Sequence, residues 1–430
     1  MERELMGRLA AWKDSPRRKP LILKGARQVG KTWLMQEFGR RCYKRTAYVN
    51  FDNNSAMQQV FRQDFDVSRI LLAINAETGV RVSPEDTLII FDEVQEAPQA
   101  ISALKYFCEN APAYSVIAAG SLLGIALHEG ISYPVGKVST LQLHPLSFHE
   151  FLMAIGEGGL AGLLDDGDDS MLAAFHDRFV AALKNYYVVG GMPEAVEAFA
   201  GTKDYSEVRK IQNDLLDMYE ADFGKHVPGS ELPRLRLTWS AIPTQLAKDN
   251  RKFFFGHVKK GGRAGEFEKA VKWLVDCGLV ARVHRVSKPA VPMSAYAEQN
   301  AYKLFFVDVG LLGAVSGLDV RSVIEGNRLF TEFKGALTEQ YVCQELLSDR
   351  KYRPYYFTSE SGSYEIDFMV QQGEDVVPVE VKAEQNLRSK SLRAYCDKYS
   401  PVKAIRLSMQ DHIRQDFLEN IPLFAIHKYM

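Results

Sequence analysis

The chain has 430 residues, with 53 Lys plus Arg, 54 Asp plus Glu and 46% hydrophobic residues, enough for two or three domains with sizeable cores. A formal net charge of −1 excludes a globally basic protein, so any nucleic-acid surface must be local. Five scattered cysteines with no Cys-x-x-Cys pair (Cys42, Cys108, Cys277, Cys343, Cys396) exclude a disulfide framework or zinc site. The N-terminus is charged, without a signal-peptide core, and the apolar stretch from Tyr114 to Leu127 is too short and Gly-broken to span a bilayer, so a cytoplasmic protein without a membrane partner is expected.

In chain order, Leu21-Ile22-Leu23-Lys24 predicts a short buried strand, and Trp33 to Phe38 suits a helix. Between them, Gly25-Ala26-Arg27-Gln28-Val29-Gly30-Lys31-Thr32 fits the G-x-x-x-x-G-K-[ST] phosphate loop. The two glycines permit backbone angles that a Cβ would hinder. Backbone N–H groups and the helix dipole would face phosphate. Lys31 would reach the β- and γ-phosphates of ATP, and the Thr32 hydroxyl would ligate Mg²⁺.

Tyr48 to Phe51 predicts a second strand. Thr87-Leu88-Ile89-Ile90-Phe91 predicts a third, ending in Asp92-Glu93. A strand buried on both faces has such a continuous apolar run, and its C-terminal end is where ligands bind in parallel sheets. Asp92 fits the carboxylate that holds hydrated Mg²⁺, and Glu93 the base that orients attacking water. The plainer alternative is a solvated acidic strand end. Tyr114 to Gly120 predicts another strand; Ser121 after it would sense the γ-phosphate or merely cap a helix. Leu141 to Leu143 predicts the last strand. Strands alternating with helices imply a parallel α/β sheet over residues 1–155.

Gly156 to Ser170, rich in Gly and Asp, predicts a flexible linker over 156–170. Residues 171–229 have a helical pattern, with Phe175, Phe179, Leu183, Tyr186 and Tyr187 as core positions and a break at Gly190-Gly191-Met192-Pro193. In residues 230–317, helices near Leu235–Ala247 and Glu266–Cys277 precede strands Leu279–Val283 and Tyr302–Val307. That order predicts a winged helix. From Lys248 to Lys288 there are eleven Lys or Arg and four Asp or Glu, a local footprint for DNA phosphates, or a solvated face on a subunit-packing module.

Residues 328–430 carry a second constellation. Strands Tyr364–Val370 and Val376–Lys382 flank the turn Gln371 to Asp375. With Gly373 and Glu374 central, Asp367 falls opposite Glu380 on one face, and Lys382 projects from that face as well. Two hard oxygen ligands suit Mg²⁺, and a lysine beside them would stabilise a phosphorane-like transition state. Glu339, on a helix over Gly335–Leu347, is a candidate outer ligand. The alternative is a charged sheet face with Asp367 and Lys382 as an ion pair.

Together with Phe-Asp-Glu-Val-Gln at 91–95, Ala-Gly-Ser-Leu-Leu at 119–123, Pro-Leu-Ser-Phe-His-Glu-Phe at 145–151, Gly-Gly-Met-Pro-Glu-Ala at 190–195 and Val-Glu-Val-Lys at 379–382, the phosphate loop carries a resemblance. The chain resembles the bacterial and archaeal ATPases in which an AAA-like P-loop domain (the AAA_14 type) precedes domain of unknown function 4143 (DUF4143). Its last hundred residues resemble the PD-(D/E)xK nucleases, with Glu339, Asp367, Glu380 and Lys382 at the four positions and Tyr364-Glu365 where the name would place Pro. The resemblance implies ATP and Mg²⁺ as cofactors. The phosphate loop implies an arginine supplied by a second copy in a homo-oligomer, with Arg62 and Arg263 as the candidates. Two functions are expected to compete: an ATP-driven enzyme that cuts DNA, and a nucleotide-dependent switch whose nuclease-like part only binds it.

Overall fold

Five short strands, β1 (Leu21–Lys24), β2 (Arg45–Asn50), β3 (Thr87–Asp92), β4 (Ser115–Ala119) and β5 (Ser139–Gln142), lie in the order β2-β3-β4-β1-β5. Every pairing is parallel. All six residues of β3 and all five of β4 are buried, as the continuous apolar runs predict. Ile22, Val49, Phe51, Phe61, Phe91 and Phe107 share one core with the flanking helices, and Phe51, Phe61 and Phe91 meet with ring centroids 5.3 to 5.8 Å apart. The α/β expectation holds. The coordinates are a computed structural model that describes residues 1–120, 133–248, 252–326, 331–348, 351–383 and 389–430, with the side chains of 326, 331 and 332 also left out. Ser121 lies outside the described residues.

A second, mixed sheet has eight strands: β6 (Val280–Val286), β7 (Ala297–Phe306), β8 (Tyr355–Thr358), β9 (Glu365–Gln372), β10 (Asp375–Val381), β11 (Ala404–Ser408), β12 (Ile413–Gln415) and β13 (Leu418–Pro422). Their order is β12-β13-β11-β10-β9-β8-β6-β7. Two bodies result. One comprises Glu2–His144 with Asp276–Gly278, and the other Pro145–Val275 and Leu279–Met430 with Met1.

Several expected boundaries fail. The segment expected as a linker over 156–170 forms helices Gly158–Asp166 and Asp169–Ala174, burying Leu160, Ala161, Leu164 and Leu172. Its acidic residues include a helix cap, since Asp168 accepts from the Met171 N–H at 2.9 Å. The helix Phe148–Ala154, started by a Ser147/Glu150 capping box, packs with the second body. Helices Leu232–Leu246 and Ala264–Asp276 and the β6–β7 hairpin occur in the order expected of a winged helix. The hairpin is not a free wing: β6 pairs in parallel with β8 through Arg285↔Tyr356 and Val286↔Phe357. Accordingly, regions 171–229, 230–317 and 328–430 share one body.

Phe179, Leu183, Tyr186 and Tyr187 are buried as expected. Phe175 is the exception at 39% exposure, because the helix breaks there and restarts at His176. The Gly190-Gly191 break is a packing device. A Cβ at Gly191 would lie 2.2 Å from the Leu146 carbonyl oxygen, and the Gly191 N–H donates to the fully buried Asp308 at 2.6 Å.

Candidate functional site

The phosphate loop leaves β1 and enters the helix Lys31–Cys42. Gly30, at φ 91°, stands before a helix start with no side-chain cap, so its first N–H groups point at an anion position. Gly25 has φ 156°, and a Cβ there would sit 2.5 Å from the Leu143 carbonyl oxygen; only glycine fits.

Lys31 is buried and folds back on the loop, donating to Gly25 O at 2.9 Å and Ala26 O at 2.7 Å. Burial pushes its ammonium down to about 8, against the raising pull of Glu93 and Asp92. The lysine is therefore close to both acids that the sequence assigned to the site.

Asp92 ends β3, 2% exposed. Its Oδ2 accepts from the Thr32 hydroxyl at 2.6 Å and from the Tyr48 phenol at 3.0 Å, while Oδ1 accepts the Glu93 N–H at 3.0 Å. Burial, then the Asp92 carboxylate, hold the Tyr48 phenol far above its usual range. Glu93 has φ 52°, a left-handed conformation uncommon for a residue with a side chain. Its Oε2 accepts from the Gln95 amide. Thr32 and Asp92 offer hard oxygens 2.6 Å apart, a donor set that fits Mg²⁺. Sequence reasoning missed Tyr48 and Gln95. The signal for Tyr48 lay only in the pairing of β2 with β3, which sets Asn50 opposite Asp92.

In the second body, β9 and β10 pair with Gln372↔Asp375 and Val379↔Phe368. Gly373 and Glu374 are thus the two turn residues, and Gly373 has φ 63°. The register brings Asp367 beside β10, where its Oδ2 accepts the Val381 N–H at 2.8 Å. Lys382 Nζ lies 2.8 Å from Glu380 Oε1, so Glu380 is an ion-pair partner of the lysine. The Lys382 N–H donates to Leu407 O at 2.8 Å, fixing it against β11.

Glu380 is 5% exposed, and among the described residues its Oε2 has no hydrogen-bond donor. Burial raises its carboxyl to about 7; Asp367 adds to the rise and Lys382 opposes it. A desolvated carboxylate beside a second one is a fitting seat for a divalent cation. Glu339, the expected outer ligand, has a buried lysine for a neighbour. It lies on the helix Thr331–Ser348, 3% exposed, with its Oε2 3.7 Å from Lys303 Nζ. Lys303, fully buried on β7, also stands 2.6 Å from Glu365 Oε1, off hydrogen-bond geometry, and over the Tyr356 ring. Sequence reasoning missed Lys303, because it sits in an apolar strand with no local sign of its partners.

Residues 17–152 match the family model described as AAA domain. Residues 180–322 match a domain of unknown function (DUF8612), and residues 334–426 match another (DUF4143). The chain therefore carries an AAA-type P-loop domain followed by two uncharacterised ones. No curated protein matches. Solved structures similar to the chain include a Walker-type ATPase of Pyrococcus abyssi, at 14% identity, 73% of this chain, 95% of that chain and TM-score 0.46. Others are the Orc1 protein of Aeropyrum pernix in complex with DNA (13% identity, 73% and 90% covered, TM-score 0.26) and the RuvB Holliday junction branch migration motor of Thermotoga maritima (14%, 66% and 90%, TM-score 0.31). At these TM-scores the likenesses carry no functional argument. Among the described residues, no helix is long and apolar enough to cross a membrane.

Proposed function

We propose that the first body binds ATP with Mg²⁺ and hydrolyses it, and that the chain acts on nucleic acid. One observation carries the ATPase reading: the Thr32 hydroxyl and the Asp92 carboxylate, 60 residues apart in sequence, meet at 2.6 Å beside the phosphate loop. Lys31 would leave the Gly25 and Ala26 carbonyls and set its charge on the phosphate oxygens. Glu93 would orient the attacking water. The metal, held by Thr32 and Asp92, would supply neutralisation of phosphate charge. Basal turnover is expected to be low because such sites often need an arginine from a neighbouring subunit; Arg62 and Arg263, both exposed, are the candidates. The test is nucleotide binding and phosphate release by wild type and Lys31→Ala. Equal behaviour of the two overturns the reading. Light scattering that gives a monomer with and without ATP overturns the homo-oligomer.

For the second body, Asp367, Glu380 and Lys382 support a metal-dependent phosphodiester cut; the buried Glu380 Oε2, without a donor among the described residues, is the observation in its favour. A second reading has its own support. Lys382 pairs with Glu380 and Lys303 with Glu365, so the cluster is partly self-neutralised, as suits a platform that binds DNA without cutting it while ATP switches its occupancy. The basic segment from Lys248 to Lys288 would supply phosphate contacts in either case. Incubation of plasmid and single-stranded DNA with Mg²⁺ or Mn²⁺, with and without ATP, separates them. Cleavage abolished by Asp367→Ala supports the enzyme; salt-sensitive binding without cleavage supports the platform.

A further inference from the structure

Asp92 receives donors from three elements: the helix Lys31–Cys42 through Thr32, the turn after β3 through the Glu93 N–H, and β2 through Tyr48. The first two belong to the motifs themselves. The third does not. Tyr48 pairs with Ile90, one register step of two back from Asn50↔Asp92, so its phenol reaches along the sheet face to the end of β3. Tyr48 also lines a polar cavity of about 500 Å³ with Asn50, Asp52, Asn53, Asn54 and Glu77.

We propose that Tyr48 is a positioning residue for Asp92, holding Oδ2 toward Thr32 so that the two oxygens are preorganised for the divalent cation that accompanies the nucleotide. The inference rests on the ATPase reading. A carboxylate rotates about its Cβ–Cγ bond, and that torsion is soft. The Glu93 N–H pins Oδ1 alone. The Thr32 hydroxyl is itself a proposed ligand, so it is not an independent guide for Oδ2. The phenol holds the other oxygen from a rigid strand, as the outer partners of metal-site carboxylates do.

The test uses the full chain and Tyr48→Phe, which keeps the ring and removes only the donor. A fluorescent ATP analogue measured in EDTA should bind both proteins alike, since the phosphate loop is untouched. Mn²⁺ affinity in the presence of ADP, followed by electron paramagnetic resonance, should weaken by about 10- to 100-fold in the variant. The Mg²⁺ concentration for half-maximal turnover should rise in parallel, while kcat at saturating Mg²⁺ stays near the wild-type value. Equal or tighter Mn²⁺ binding in Tyr48→Phe overturns this inference alone. Weaker nucleotide binding in EDTA also overturns it, because it marks a general structural role. A wild-type chain that binds no nucleotide under any condition overturns the ATPase reading and this inference with it.

Discussion

Replacing Lys31 with methionine tests whether the phosphate-loop lysine is held at a cost in the absence of nucleotide. Its ordinary value of 10.5 falls to about 8 on burial. At about 1.4 kcal/mol for each tenfold change, the ammonium costs the folded state about 3 kcal/mol relative to neutral lysine. The sign follows from proton counting. Between pH 8 and 10.5 the unfolded chain holds the proton and the folded one does not, so this group makes stability rise with pH in that window. Below pH 8 both states hold it and the slope vanishes. Methionine keeps most of the apolar stem, removes the charge, and forfeits the hydrogen bonds to Gly25 O and Ala26 O, each worth about 1 kcal/mol. The variant should therefore be more stable than wild type by roughly 1 kcal/mol at pH 7 and less stable by about 2 kcal/mol above pH 10. Urea melts of both proteins at each pH measure this, and comparison at fixed pH cancels other titrating groups. A stability difference that stays constant within about 1 kcal/mol from pH 7 to 10.5 refutes the reasoning, whatever the variant does to ATP binding.

Glu93→Gln should bind ATP as wild type does and lose turnover by about 10²- to 10⁴-fold; undiminished phosphate release sinks the assignment of Glu93. Glu380→Gln should gain stability over wild type as pH rises from 4.5 to 7, by about 3 kcal/mol in all, because burial lifts the Glu380 carboxyl from 4.5 to about 7 and the folded state holds the extra proton in that window. Saturating Mn²⁺ should erase the advantage above pH 7, and melts that show no pH-dependent difference count against the buried carboxylate. Nucleotide-free Mn²⁺ binding should be lost in Asp367→Asn and kept in Glu339→Gln, since Lys303 engages Glu339; calorimetry giving the reverse restores Glu339 as a ligand.

The parts of the fold legible in the sequence were those whose constraints are local. Gly25, Gly30 and Lys31 are read from one unbroken octet, because backbone angles and charge are fixed within it. Asp92 was legible because β3 is apolar up to its last residue. The pairing of Asp367 with Glu380 followed from a two-residue turn and strand alternation alone. What was hidden is carried by distant contacts. The β6–β8 pairing joins segments about seventy residues apart, so the hairpin that looked like a wing gave no sign of the sheet it completes. Lys303 lies inside an apolar strand run, and completion of the sheet buries it against Glu365 and Glu339. Asp168 misled for a different reason: the residue types that fill flexible linkers are also those that cap helices.

The two sites differ in how their charges are compensated, and the difference bears on how each would bind. Around the phosphate loop the groups have internal partners: Lys31 on two carbonyls, Thr32 and Tyr48 on Asp92, Glu93 on Gln95. An arriving nucleotide exchanges those bonds for its own, so affinity is the difference between two satisfied states, and reorganisation of Lys31 and Glu93 accompanies it. At the β9–β10 hairpin, Glu380 keeps one oxygen without a donor among the described residues while its neighbour Asp367 repels its charge. A cation there adds a partner without displacing one, and it competes instead with a proton. The first site should therefore respond chiefly to changes in its internal donors. The second should respond chiefly to pH, with metal affinity falling as Glu380 takes up its proton below about 7,.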